Sequence, residues 1–238
     1  MRALVPRLML PLMLLLSACS GGPAGPPGPL FVNPAAGSDA ATGTAARPLK
    51  TIGRALELVK AGGEVFLQVG TYRGEAWPLA VPAGVTIASV APGGAVLASS
   101  IAGEGKALAF AQGGAATDLT IEDFAVGVSV TGGTVELVGL RFTRIATISV
   151  VALGDSDVTL QGCVFQSTGS AVGVDAREDA TVSVDGGSVA GGGAAFRVWA
   201  QVRFSARNLT VDDSEAGLWN PSGSGSASLT GVAISNTR

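Results

Sequence analysis

The chain has 238 residues, 47% of them hydrophobic and only 14% charged, which is enough for one sizeable core and too apolar for disorder. With 15 Lys and Arg against 18 Asp and Glu, no basic excess is available to hold a nucleic acid. The absence of histidine excludes Ser-His-Asp and Cys-His catalysis and His-ligated zinc, and two cysteines cannot build a disulfide scaffold.

At the N-terminus, Arg2 and Arg7 accompany an apolar run from Leu8 to Leu16, too short to span a bilayer and suited to an export signal. The run ends in Leu16-Ser17-Ala18-Cys19, which resembles the lipobox of bacterial lipoproteins. That resemblance implies removal of residues 1–18, a lipid on Cys19, and anchoring to the cell envelope. Ser20 is similar to the residue that permits outer-membrane sorting in Gram-negative lipoproteins. Several acyl chains, at about 0.8 kcal/mol per buried CH₂, would hold the protein to a membrane without a basic patch. An ordinary cleaved signal peptide with an incidental cysteine is the plainer alternative. Residues 19–29, rich in Gly and Pro, read as a tether reaching on the order of 30 Å when extended. Residues 30–238 then form the working domain.

Phe31-Val32-Asn33 opens a short strand, followed by turn residues at Gly37-Ser38-Asp39 and Gly43-Thr44. Thr51 reads as an N-cap. Ile52, Ala55, Leu56 and Val59 keep helical spacing, and Gly62-Gly63 supply a stop, so a helix is predicted over 51–61. Val65, Leu67 and Val69 alternate as a strand ending at Gly70-Thr71-Tyr72.

This block resembles the N-terminus of extracellular right-handed parallel β-helix proteins described as a domain of unknown function, an opening shared with some polysaccharide lyases, including family nine. The residues carrying the resemblance include Gly37, Ser38, Asp39, Gly43, Thr44, Pro48, Lys50, Thr51, Ile52, Gly63, Gly70, Thr71 and Tyr72, with Glu64 where Asp is usual. It implies a fold and no particular activity.

An internal repeat points the same way. Val135, Leu137, Leu140 and Phe142 set a spacing of 0, +2, +5, +7, repeated by Val158, Leu160, Cys163 and Phe165 and by Val182, Val184, Gly187 and Val189. Val202, Phe204, Arg207 and Leu209 read as the next copy, with Arg207 a poor fit, and Ala227, Leu229, Val232 and Ile234 as the last. Leu119, Ile121, Phe124 and Val126 read as an earlier copy of shorter spacing. A second strand recurs at Ile148/Val150, Val172/Val174, Phe196/Val198 and Leu218/Asn220. Such short strands bury an apolar face only by stacking. The expected class is all-β, a right-handed single-stranded parallel β-helix with a short N-terminal capping helix and an uncapped C-terminal coil end.

Stacking places equivalent residues about 4.8 Å apart in columns. The register above puts Ser149, Gly173, Arg197 and Trp219 in one outward column and Val151, Asp175, Trp199 and Pro221 in the next. Asp175, Arg197, Trp199 and Trp219 therefore form a candidate ligand-binding patch, with aromatic faces for sugar rings and charges for hydroxyl groups. The alternative is that both tryptophans cover the coil end or meet a protein partner. Asp155 and Asp179, one repeat apart in turns, are candidates for Ca²⁺, with Asp157, Glu178 and Asp185 near in sequence; solvated turn aspartates are the simpler reading. By resemblance, lyases of this fold use a Lys or Arg base beside a Ca²⁺-binding acidic cluster. Lys50, Lys60 and Lys106 are the only lysines and none is expected in the regular coils, which leaves Arg177 or Arg197 for such a role without a supporting motif. Cys163 shares a column with Leu140 and Val232 and is expected as a core thiol.

The functional expectation is an exported, lipid-anchored envelope protein that binds a polysaccharide or other envelope component without catalysis. The alternatives are a polysaccharide lyase acting by metal-assisted β-elimination, or an assembly module whose C-terminal coil end docks a partner.

Overall fold

The computed structural model describes residues 28–167, 169–223 and 225–236. The expected export signal, Cys19 and most of the expected tether lie outside the described residues.

Each coil visits three parallel sheets in turn, so that strands neighbouring in space come from successive coils. The first sheet has nine strands, from Leu30–Val32 to Ser226–Thr230. The second has eight, from Gly70–Tyr72 to Ala233–Ser235, and the third has seven, from Leu79–Val81 to Ala216–Trp219. The fold is the expected right-handed parallel β-helix.

One ladder of inward residues runs through the first sheet as Val65, Ile87, Ala116, Leu137, Leu160, Val184, Ala206 and Leu229. Another runs through the second as Tyr72, Leu97, Ile121, Phe142, Phe165, Val189, Val211 and Ile234. Phe142 and Phe165 stack there with centroids 5.1 Å apart and planes 6° from parallel. Cys163 is buried in this core, and burial pushes its thiol up to about 11, which suits a packed side chain and not a nucleophile.

The corners have their own code. Two residues after the inward residue of the first sheet, from Ala116 onward, the backbone enters the left-handed region, at Asp118, Gly139, Gly162, Gly186, Asn208 and Gly231. The next corner does the same at Asp123, Arg144, Gly191, Asp213 and Asn236. The third does so at Gly113, Gly133, Gly154, Glu178, Gln201 and Gly223. Only glycine adopts this conformation freely, with Asn and Asp the best of the rest.

The helix spans Ile52–Leu58, and the Thr51 side chain accepts from the Arg54 N–H as an N-cap should. It ends earlier than predicted, because Val59 is extended, and Gly62-Gly63 belong to the following turn. Ile52, Ala55 and Leu56 join the same core as the first coils, so the helix caps that end. Two carboxylates fix it in place. Glu75 accepts from the Ile52 and Gly53 N–H groups at 2.8 and 3.0 Å, and Asp39 accepts from those of Lys50 and Thr51 at 3.0 and 2.9 Å.

Four register expectations need correction. The copy after Val182 is Phe204, Ala206, Leu209 and Val211, which restores 0, +2, +5, +7 and turns Arg207 outward to pair with Asp185. The copy before Val135 is Gly114, Ala116, Leu119 and Ile121; the small Gly114 and Ala116 hide it, and Phe124 and Val126 lie further along the coil. Val69 sits at a corner, exposed, after the strand Glu64–Leu67 has ended. In the third sheet Val174 pairs with Phe196 and Ala176 with Val198, two residues away from the expected match. In the last coil Ala227, Leu229 and Ile234 are exposed, whereas Phe204, Ala206 and Val211 of the preceding coil are buried.

The close stacking makes a prediction about two glycines of one coil spacing. A Cβ on Gly187 would stand 2.0 Å from the Cys163 carbonyl oxygen, whereas one on Gly162 meets nothing within 4 Å. Gly162→Ala should cost about 1 kcal/mol, from backbone conformation alone. Gly187→Ala should cost about 3 kcal/mol or more, because a neighbouring coil must move. Urea denaturation of both variants checks the contrast.

Candidate functional site

The corrected register brings the candidate patch closer together than expected. Along the third sheet Val151 pairs with Asp175, Asp175 with Arg197, and Arg197 with Trp219, so these four share one outward column. Trp199 lies two residues beyond Arg197 and Arg177 two beyond Asp175, at the strand ends Val172–Ala176 and Ala194–Val198. Ser149 and Gly173, expected in the outward column with Arg197, belong elsewhere. Ser149 is fully buried, and a Cβ on Gly173 would strike the Ala195 carbonyl at 2.6 Å.

Asp175 is the hub and has no solvent exposure. Its Oδ2 accepts from Arg177 Nε at 2.9 Å, from Arg177 Nη2 at 2.6 Å, and from Arg197 Nη2. Its Oδ1 accepts from the Trp199 indole N–H at 2.9 Å. A carboxylate so engaged has no face left for a ligand; it orients the guanidinium and indole groups around it. Burial acts to raise the Asp175 carboxyl, yet hydrogen bonds and charge from Arg197 and Arg177 outweigh it and hold the group below the usual carboxylate range. Asp175 in turn raises Arg177, which opposes any role for that guanidinium as a base. Arg177 was not among the expected binding residues; the structure adds it to the cluster through its contact with Asp175.

The guanidinium groups are also stacked. Arg177 lies over the Trp199 ring at 5.5 Å, and Arg197 lies 6.0 Å from that ring and 5.7 Å from the Trp219 ring. Trp199 is half-buried, whereas Trp219 is 48% exposed. Arg197 Nε is buried with no hydrogen-bond partner, so a donor remains unspent.

Beside Arg197 and Trp219 opens a recess of about 590 Å³. Its floor is the outward column Val172, Ala194 and Ala216, part of a small apolar cluster separate from the main core. Thr147, Ser170 and Glu215 supply polar groups at its edge. An apolar floor, an exposed indole and a half-spent guanidinium suit a sugar ring bearing an acidic group.

Asp155 and Asp179 stand exposed in equivalent turns of successive coils. The neighbouring Glu178 reaches back instead, accepting from the Gly154 N–H at 2.7 Å. Among the described residues no group of three or more His, Cys, Asp or Glu is placed to hold a metal ion, so the carboxylates do not fit a calcium cluster of the lyase kind. Lys106, expected outside the coils, begins the third-sheet strand Lys106–Phe110 and pairs with Val126, at the far end of the column that floors the recess.

Breaking the hub should be costly and acid-sensitive. Asp175→Asn strands two guanidinium groups and should cost about 3 kcal/mol at pH 7, toward the lower end for a buried pair because Arg177 is partly exposed. The folded carboxyl is lowered, so its contribution is full above the unfolded value near 3.9 and is lost as pH falls through the folded value. Denaturation at pH 7, 5 and 3 should therefore show a constant gap between wild type and variant at the first two and a smaller gap at the third.

Comparison with solved structures finds this fold among polysaccharide lyases. An alginate lyase from Paenibacillus sp. str. FPU-7 is 14% identical with a TM-score of 0.53, over 78% of this chain and 93% of that one. Pectate lyase Pel9A is 12% identical with a TM-score of 0.51, over 88% and 78%. At these identities the likeness is one of fold. A search of curated proteins finds no match. Residues 35–191, about two thirds of the sequence, match the family described as "Protein of unknown function (DUF1565)", and the chain belongs to that family.

Proposed function

We propose that this domain is a polysaccharide lyase-like β-helix that takes an acidic glycan into the Arg197–Trp219 recess. The observation carrying the proposal is the stacking of the Arg197 guanidinium on the exposed Trp219 indole, both lining one recess above an apolar floor. Non-catalytic binding, expected from the sequence, uses the same groups. The solved lyases share the scaffold, and an acidic polysaccharide of the kind they are named for would bring a carboxylate to Arg197.

In an elimination Arg197 neutralises the uronate carboxylate, which acidifies the adjacent C–H. Glu215, lining the same recess, accepts that proton. A C=C bond forms as the glycosidic C–O bond breaks, the departing sugar oxygen takes a proton from water, and Glu215 releases the one it accepted to the hydroxide so formed. No step is routed through a metal.

We also propose that Cys19 carries a lipid that holds the exported domain at the cell envelope, with the following Gly/Pro-rich segment as its tether. The Leu16-Ser17-Ala18-Cys19 sequence supports this reading. Labelling with a fatty-acid probe should mark the wild-type membrane fraction and be abolished by Cys19→Ala.

The test of the recess uses the full-length protein with polygalacturonate and alginate, following tryptophan fluorescence for binding and ultraviolet absorbance for unsaturated products. Trp219→Ala should weaken binding about tenfold, from loss of stacking and apolar contact. Glu215→Gln should retain binding and lose product formation. Binding without product in the wild type would support the non-catalytic reading, and no binding of any acidic glycan would reject both.

A further inference from the structure

A second recess of about 290 Å³ opens beyond the other end of the same strands, lined by Arg177, Glu178, Trp199, Ala200, Gln201 and Ser222. It repeats the chemistry of the first: a guanidinium lies over an indole, here Arg177 over Trp199. Arg177 is 41% exposed, so its outer face is open to a ligand. The two recesses are separated by the Asp175 hub, to which both guanidinium groups are bonded. Among the described residues neither arginine forms an ion pair with any other carboxylate, although Glu178, on the same recess, adds to the field that raises Arg177.

The backbone around the second recess is unusual too. Its corner residues Glu178 and Gln201 hold left-handed conformations, with φ of 58° and 68°. Equivalent corners of other coils carry glycine, and long side chains there are held against their backbone preference. Polar side chains at such a place present functional groups where glycine would present none.

We propose that the second recess is a further anion-binding subsite, and that one linear glycan crosses both recesses along the strand direction, with one acidic group at Arg197 and another at Arg177. From Ala194 to Trp199 is five residue steps, or about 16 Å of strand, room for a short oligosaccharide and too long for a single ring. Asp175 is a positioning residue for both guanidinium groups, not a ligand contact. This inference rests on the proposed use of the Arg197–Trp219 recess and adds the length and charge of what it takes. The acidic groups are carboxylates or sulfate esters, which share the planar or tripodal oxygen geometry that guanidinium recognises.

Calorimetric titration of the full-length protein tests this, using a galacturonate dimer, a galacturonate hexamer, the methyl-esterified hexamer and a sulfated dextran oligomer of similar length. Arg177→Gln should weaken the hexamer about tenfold, the loss of one charge-assisted contact, and leave the dimer unchanged. Arg177→Lys should restore part of the loss, and the esterified hexamer should bind weakly to every form. Tighter binding of the sulfated oligomer than of the hexamer would assign sulfate esters, and the reverse would assign carboxylates. Equal weakening of dimer and hexamer would show that Arg177 acts only by steadying Arg197 through Asp175, and would overturn the subsite. Unchanged hexamer binding in Arg177→Gln would overturn it as well, while leaving the first recess standing. Failure of the wild type to bind any acidic glycan would reject the first recess itself.

Discussion

The molecule depends on one recurring backbone constraint, a residue in the left-handed region at most corners of its coils. A strand that alternates side chains in and out cannot turn onto the next sheet while keeping its apolar residues inside unless the chain bends sharply. One left-handed residue supplies that bend. The spacing of 0, +2, +5, +7 follows: two inward residues on one sheet, a left-handed residue two positions on, then two inward residues on the next. Glycine, Asn and Asp at Gly139, Gly162, Asn208 and Gly231 carry this code as much as the valines and leucines do. The 35 glycines are therefore not a sign of looseness. They permit corners and, at Gly187 and Gly173, close approach of neighbouring coils.

Parallel stacking then turns position along a strand into position along a column, and this is what builds the site. Asp175, Arg197 and Trp219 come from three coils and meet because their strands are in register. A buried carboxylate would be expensive by itself; here its desolvation is offset by two guanidinium groups and an indole N–H. The arrangement fixes two long, flexible side chains at the surface before any ligand arrives. That lowers the entropy cost of binding, since the rotamers of Arg177 and Arg197 are already restrained. The stacking of each guanidinium on an indole restrains them further.

Much of this was legible in the sequence, and the misreadings have specific causes. The repeat beginning at Val135 was visible because its inward residues are large and apolar. The preceding copy was not, since Gly114 and Ala116 leave no hydrophobic signal, and the eye slides to Leu119, Ile121 and Phe124. After Val182 the coil is 22 residues long, while a 20-residue step seemed natural because Val202 looks like an inward valine. That same coil moved the third sheet by two residues, separating Asp175 from Arg197 on paper when they are neighbours in space. The poor fit of Arg207 was the available signal. Shifting that copy by two residues repairs it and places Arg197 beside Asp175. The buried state of Asp175 and the part played by Arg177 were beyond reach, because both depend on side-chain contacts across coils.

The same separation of inner and outer faces explains why fold and activity are so loosely tied here. The inward ladder answers to packing alone and determines the solenoid. The outward column answers to strand geometry and to its own side-chain contacts, such as the Asp175 hub, and not to the packing of the inner core. A likeness at 14% and 12% identity is what a shared inner ladder with independent outer columns produces. The lyase comparison therefore bears on the scaffold, and the acidic-glycan reading has to stand on Arg197, Trp219 and the hub beneath them. It does so on the geometry of two guanidinium groups that share one buried carboxylate, each stacked on an indole, with Glu178 and Glu215 at the recess edges and not in an ion pair with either arginine. A neutral ligand would gain little from those guanidinium groups, whereas an anionic one completes the arrangement.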